Sequence, residues 1–208
     1  MKKPLVIFIL CILFIGNKSY SQISATTSSG ENVVLKSDGT WEYVTKKTIS
    51  TEGLGNWEVK YFVDDFGDPT SQGYITNKKN LEGQFSNSAA TNAKLVAYFI
   101  AIDSSSIALK LFEYGSSVVK AYSTDNYSVR IKDDNGETYS LNGNIYKGGD
   151  RLFIDDSYKK KHVSKLHHIL LKGGKLTIVI KEAEYSLTSY KLSFDASGYK
   201  NAYNQLYK

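Results

Sequence analysis

The sequence predicts a mainly β protein: an antiparallel β-sandwich with two short helices, preceded by a small N-terminal β-hairpin unit. Three observations carry this reading. Sixteen tyrosines, nine phenylalanines and two tryptophans stand against only two prolines in 208 residues, and aromatic side chains suit a pleated, half-buried surface. Apolar and polar residues alternate in seven short runs separated by turn clusters, the pattern of a sandwich or barrel. Helical spacing is confined to two short segments, 162–174 and 198–208.

Residues 1–21 have the three-part layout of a secretory signal peptide. Lys2 and Lys3 precede an apolar run, Leu5 to Ile15, and Ser19-Tyr20-Ser21 places small residues before a cut at Gln22. The run is shorter than the roughly 20 residues of a membrane-spanning helix. Cys11 lies inside it with no small residues ahead, so cleavage fits better than lipidation. The expectation is export to the periplasm or the cell surface, with no membrane span after cleavage. Losing Lys2, Lys3 and Lys18 from the 26 basic residues leaves 23 against 21 acidic ones, a net charge of +2 over 187 residues. That charge offers no concentrated basic field, so no nucleic-acid partner is expected. Without Cys11 the mature chain has no cysteine, and its stability must come from a core rather than from disulfides.

Residues 22–46 form the hairpin unit. Asn32 to Val44 is two apolar-rich runs around Asp38-Gly39, and Asp-Gly suits the positive φ angles of a two-residue hairpin turn. With Ser37 facing Thr40, Val34 would oppose Tyr43 and Lys36 would oppose Trp41. Two strands alone are marginal, so the hairpin needs a surface to dock on or a third strand, for which Ile23–Thr27 is available. Residues 47–55 read as a polar, glycine-containing linker. The main domain, 56–208, opens with Trp57, Val59, Tyr61 and Val63 alternating with Glu58, Lys60 and Phe62, a strand with one face inward. The runs 94–102, 107–114, 127–133, 151–155, 176–180 and 190–194 read the same way. Val163, Leu166, Ile169 and Leu170 fall at helical spacing before Gly173-Gly174, which stops a helix. Tyr199, Ala202, Tyr203 and Leu206 make a second short helix.

The most chemical-looking stretch, Asp64 to Tyr74, holds three carboxylates. An EF-hand-type calcium loop needs oxygen ligands at positions 1, 3 and 5, glycine at 6 and glutamate at 12. Counted from Asp64, position 3 is Phe66, position 6 is Pro69 and position 12 is Ile75, so a strand-to-strand turn fits better. His162, His167 and His168 lack the i, i+4 spacing that sets two imidazoles on one metal, and read as surface residues beside the run Tyr158 to His162. The sequence has no G-x-S-x-G elbow, no HExxH and no P-loop, and no cofactor is expected. Two acids from different strands could still converge as in a glycosidase, with Asp64, Asp65, Asp155 and Asp156 the candidates. The tyrosines read either as core and rim or as rings that stack on sugars.

From Tyr127 onward the order of features resembles the invasion-associated locus B and type VI secretion-accessory (VasI-like) group of exported β-sandwich proteins. The residues that carry the resemblance are Tyr127–Leu141, His167–Ile180 and Tyr190–Leu206, with Trp57–Thr76 similar to that group's opening strand. The Glu31–Val44 segment resembles a hairpin recurrent in secreted proteins of Bacteroidota. The resemblance implies an accessory role outside the cytoplasm and no transferable catalytic set. The expected function is therefore a non-enzymatic binding or accessory protein with a protein or glycan partner; the alternative is a small glycan-active hydrolase using paired carboxylates. The expected interaction loops hold Asp64, Asp65, Asp68 and Gln72 on one side and Tyr158, Lys159, Lys160, His162 and His167 on the other, because function concentrates in loops held by a scaffold.

Overall fold

A computed structural model describes residues 23–30, 32–36, 38–43, 52–103, 106–154, 161–183 and 187–207; the expected signal peptide and most of the expected linker lie outside them. The chain divides into two compact units, 1–48 and 49–208.

The first unit is a three-stranded antiparallel sheet of β1 (Ile23–Thr26), β2 (Asn32–Leu35) and β3 (Trp41–Tyr43). The third strand is the one available in the sequence, since Ala25 pairs with Val33. The hairpin register differs from the expected one: Val33 opposes Tyr43 and Leu35 opposes Trp41. The loop holds three residues, not two, because Lys36 N–H donates to Thr40 O and Gly39 N–H to Lys36 O. Gly39 takes the left-handed conformation, φ 82°, which the bulge position of a three-residue hairpin loop favours. The Asp38 carboxylate accepts from both the amide (2.9 Å) and the hydroxyl (2.6 Å) of Thr40. That side-chain clasp spans the longer loop.

The second unit contains β4 (Trp57–Val63), β5 (Pro69–Asn77), β6 (Leu81–Ser86), β7 (Ala93–Asp103), β8 (Ser106–Glu113), β9 (Ser117–Val118), β10 (Asp125–Lys132), β11 (Thr138–Ile145), β12 (Leu152–Ile154), α1 (Lys161–Lys172), β13 (Lys175–Glu182), β14 (Ser189–Asp195) and α2 (Tyr199–Tyr207). The mainly β, antiparallel expectation holds, with two helices. The sandwich does not. Eight strands in the order β7-β6-β14-β13-β10-β11-β12-β8 form a ring that the β7–β8 pairing closes. Closure depends on β7, which is eleven residues long. One edge pairs with β8 from Leu95 to Asp103, while the other takes β6 at Ala93–Ala97 and β5 at Ile100–Ala101. The inward residues alternate as they would in a sandwich, so alternation alone cannot reveal that the first and last strands meet.

An eight-stranded barrel is just wide enough for side chains to fill. Here Leu95, Phe99, Leu109, Leu111, Ile131, Leu141, Ile178 and Leu192 fill it, each almost fully buried. One end is plugged by aromatic rings. Trp57 meets Phe99, Tyr199 and Phe194 edge to face at centroid distances of 5.3, 5.1 and 6.0 Å, geometry that adds to the burial of apolar area. The Trp57 indole N–H donates to Ala196 O at 3.3 Å. Leu54, in the segment expected as linker, is buried in this same core. Helices α1 and α2 lie at this end, where β14 finishes and β13 begins. The seam is thin at β12, whose three residues share two pairs with β8 and two with β11.

Candidate functional site

The β4–β5 hairpin is built on the Trp57 plug. Trp57 and Val59 point into the core, and Tyr61 is half-buried over it. Pairing runs regularly from Trp57↔Asn77 to Tyr61↔Gly73, then Thr70–Gln72 leave the ladder before Val63↔Pro69. The Thr70 hydroxyl closes this irregularity, donating to Gln72 O at 3.1 Å and accepting Gln72 N–H at 3.2 Å. At the tip, Asp64 N–H donates to Asp68 O and Gly67 N–H to Asp64 O. One Asp64 carboxylate oxygen accepts the amides of Phe66 and Asp68, both at 2.9 Å.

Asp64 is therefore the keystone of a turn, the side-chain-to-backbone role typical of aspartate. Among the described residues no group of three or more His, Cys, Asp or Glu could hold a metal. At its apex the turn presents an apolar side chain. Every residue from Phe62 to Pro69 is exposed, and Phe66 is 92% exposed at the apex, beside Val63 at 63% and Phe62 at 42%. Asp64 and Asp65 precede Phe66 in the chain and Asp68 follows it, so three carboxylates lie within two residues of the ring in sequence.

Of the second expected patch, only His162 and His167 lie among the described residues. Tyr158, Lys159 and Lys160, with Asp155 and Asp156, lie outside the described residues. His162 is half-buried, and its Nδ1 accepts Asn142 N–H at 3.3 Å. His168 faces a hollow of about 290 Å³ between α1 and α2, with Leu171, Lys172 and Tyr203. His167 corrects the surface reading: it is 5% exposed. Its Nδ1 bonds the hydroxyl of Tyr199, itself fully buried, at 2.9 Å, and its ring lies 5.5 Å from Tyr203. The spacing explains this, since 167 sits four residues after Val163 and three before Leu170, on the inward stripe of α1.

The structure adds a polar cluster that the sequence did not suggest. The Tyr139 hydroxyl meets the carboxylates of Asp133 (3.1 Å) and Glu137 and accepts Lys172 Nζ at 2.9 Å. Lys172 also lies 3.5 Å from Glu137 and 5.3 Å from the Tyr139 ring centroid. The Glu137 bond, above the others, holds the Tyr139 phenol above its ordinary range. Because Asp133 also accepts Glu137 N–H at 2.8 Å, the cluster ties the β10–β11 turn to the end of α1.

A shallow groove of about 680 Å³ beside β6 and β14 is lined by Asn56, Lys79, Glu82, Phe194 and Asp195. Its polar groups are largely spent within the fold. The Asn56 carboxamide bonds both the amide and the carbonyl of Lys79. Ser197, through its hydroxyl and amide, keeps the Asp195 carboxyl below the usual carboxylate range.

No known protein family, curated protein or solved structure matches this chain. Among the described residues no helix is long and apolar enough to cross a membrane. Among the described residues the β4–β5 tip carries three exposed large apolar side chains, Phe62, Val63 and Phe66, close together in sequence.

Proposed function

We propose that this protein is an exported, non-enzymatic binding or accessory protein of the periplasm or cell surface, and that the β4–β5 tip is the probe it sets into a protein partner. One observation carries the reading: Phe66, 92% exposed, stands at the apex of a turn built by Asp64. Burying such a ring in a partner is worth about 1.5–3 kcal/mol, and a preformed turn limits the ordering cost of binding. The frame of Asp64, Asp65 and Asp68 suits an apolar pocket rimmed by lysine or arginine. Export follows the leader at residues 1–21. The resemblance to the invasion-associated and secretion-accessory group implies the same kind of role.

The test is a photo-crosslinking residue placed at Phe66, with an equivalent at the exposed Tyr122 as control. A partner captured at 66 and not at 122 is then purified and titrated against wild type and Phe66→Ala. The expected result is at least a tenfold loss of affinity in the variant. Equal affinity for both forms would overturn the proposal, as would turnover of polysaccharide or peptidoglycan by the mature protein. Mass spectrometry of the exported chain should find Gln22 at its N-terminus.

A further inference from the structure

The two helices carry charge of one sign. The whole chain has 26 basic and 21 acidic residues, yet α1 and α2 hold Lys161, Lys165, Lys172 and Lys200, three histidines and no aspartate or glutamate. The hollow of about 290 Å³ between them is built from both sides by the same spacing. His168, Leu171 and Lys172 come from α1, and Lys200, Tyr203 and Asn204 from α2. Each set falls at i, i+3 and i+4, so each is one face of its helix. The Tyr203 ring is held in place, 5.5 Å from His167 and 4.7 Å from Tyr207, so the apolar wall of the hollow is fixed by the plug.

The cations of the hollow are unevenly spent. Lys172 Nζ donates to the Tyr139 hydroxyl at 2.9 Å and lies 3.5 Å from the Glu137 carboxylate. An ammonium has three donors, so these two partners position Lys172 and leave one N–H. His168 and Lys200 make no hydrogen bond and no ion pair among the described residues. Two ammonium groups and an imidazole thus converge on one concavity, and the single carboxylate paired with any of them is Glu137. Like charges gathered without compensation repel one another, and an anion between them relieves that repulsion. The donor set also indicates the kind of anion. A planar carboxylate is matched best by the rigid fork of arginine, which is absent here, whereas lysines act as point charges suited to phosphate.

We propose that the hollow between α1 and α2 binds a phosphomonoester, with Lys172 and Lys200 as counter-charges, His168 and Asn204 as further hydrogen-bonding groups, and Leu171 and Tyr203 against the organic body. The same group is carried by a soluble metabolite and by a lipid headgroup, and the test separates the two sources.

The experiment titrates the full-length mature protein by calorimetry with phenyl phosphate and with glycerol 3-phosphate, at constant ionic strength. Co-sedimentation with phosphatidylcholine vesicles, with and without phosphatidic acid, tests the lipid source. Saturable binding of a soluble phosphomonoester or of the phosphatidic acid vesicles alone, weakened at least about tenfold in His168→Gln/Lys200→Gln, supports the site, and the arm that binds identifies the source. Lys165→Gln is the control for charge alone: it lies on the same α1 face but does not line the hollow, and it should bind like wild type. Benzoate should bind more weakly than phenyl phosphate. Far-UV circular dichroism and the melting temperature confirm that the variants are folded. Absence of saturable binding in every arm, unchanged binding in the folded double variant, equal weakening by Lys165→Gln, or benzoate binding as tightly as phenyl phosphate would overturn the proposal. It is independent of the Phe66 probe, so Phe66→Ala should leave phosphate binding intact.

Discussion

Replacing Tyr199 by phenylalanine removes one oxygen from the plug and nothing else. The hydroxyl bonds His167 Nδ1 at 2.9 Å between residues that are 0% and 5% exposed. Its loss forfeits a net hydrogen bond of about 0.5–1.5 kcal/mol and leaves a desolvated ring nitrogen without that partner, a penalty of about 1–3 kcal/mol. The expected destabilisation is therefore about 1–3 kcal/mol. In a chain of this size that lowers the melting temperature by about 2–12 °C, at about 2–4 °C per kcal/mol.

Urea and thermal unfolding followed by near-ultraviolet circular dichroism report directly on the aromatic plug. His167→Leu completes a double-mutant cycle, in which other contacts of His167 cancel. The paired variant should be less destabilised than the sum of the single variants by about 1 kcal/mol, because removing both polar partners is cheaper than orphaning one. A Tyr199→Phe protein within about 0.3 kcal/mol of wild type, or a coupling of zero within the usual additivity scatter of about 0.3–0.5 kcal/mol, would refute the reasoning.

Gly198→Ala should destabilise by at least about 1 kcal/mol, since φ is +89° and an added Cβ would sit 2.4 Å from the Leu54 carbonyl; substitutions at such positions exceed the ordinary glycine–alanine difference, and the urea midpoint measures it. Phe66→Ala should leave the urea midpoint within about 0.5 kcal/mol of wild type despite the size of the change, as expected for a side chain outside the core. Asp150→Asn tests the ion pair with Lys110 Nζ, 2.6 Å away. The Lys110 hydrogen bond, first among the causes, holds the folded-state pKa of Asp150 below its ordinary value. The pair therefore stabilises above the unfolded pKa of about 3.9 and is lost as pH falls through the lower folded value. With both side chains partly exposed, the variant should lose at most about 1 kcal/mol at pH 7 and nothing near pH 2. An equal loss at both pH values would contradict this.

Local physics was legible in the sequence wherever one segment sufficed. The alternation of Trp57, Val59 and Tyr61, the 3.6-residue stripe of α1 with its terminal glycine pair, and the third strand at Ile23 each announce themselves. β11 does not, because Asn142, Gly143 and Asn144 mask the inward series Tyr139, Leu141, Ile145 with residues that disfavour strands. Barrel closure depends on which distant edges meet, and edges carry no signature in the alternation. The hairpin register differs by one residue from the expected one, in a loop where Asp38 grips Thr40. At the tip, the acids attracted attention, while the structure leaves the ring of Phe66 standing exposed at the apex. His167 was readable from its spacing to Val163 and Leu170, yet the adjoining lysines drew it to the surface.

Among the described residues β12 is the most lightly paired stave of the cylinder. With two residue pairs on each flank, its amides Leu152–Ile154 should exchange with solvent well before those of β10 or β13. Whenever it swings out, the bare flanks of β8 and β11 offer a slot for a foreign strand. A second copy of the chain carries the matching piece, so prolonged mild destabilisation should yield dimers by exchange of this one stave rather than amorphous precipitate.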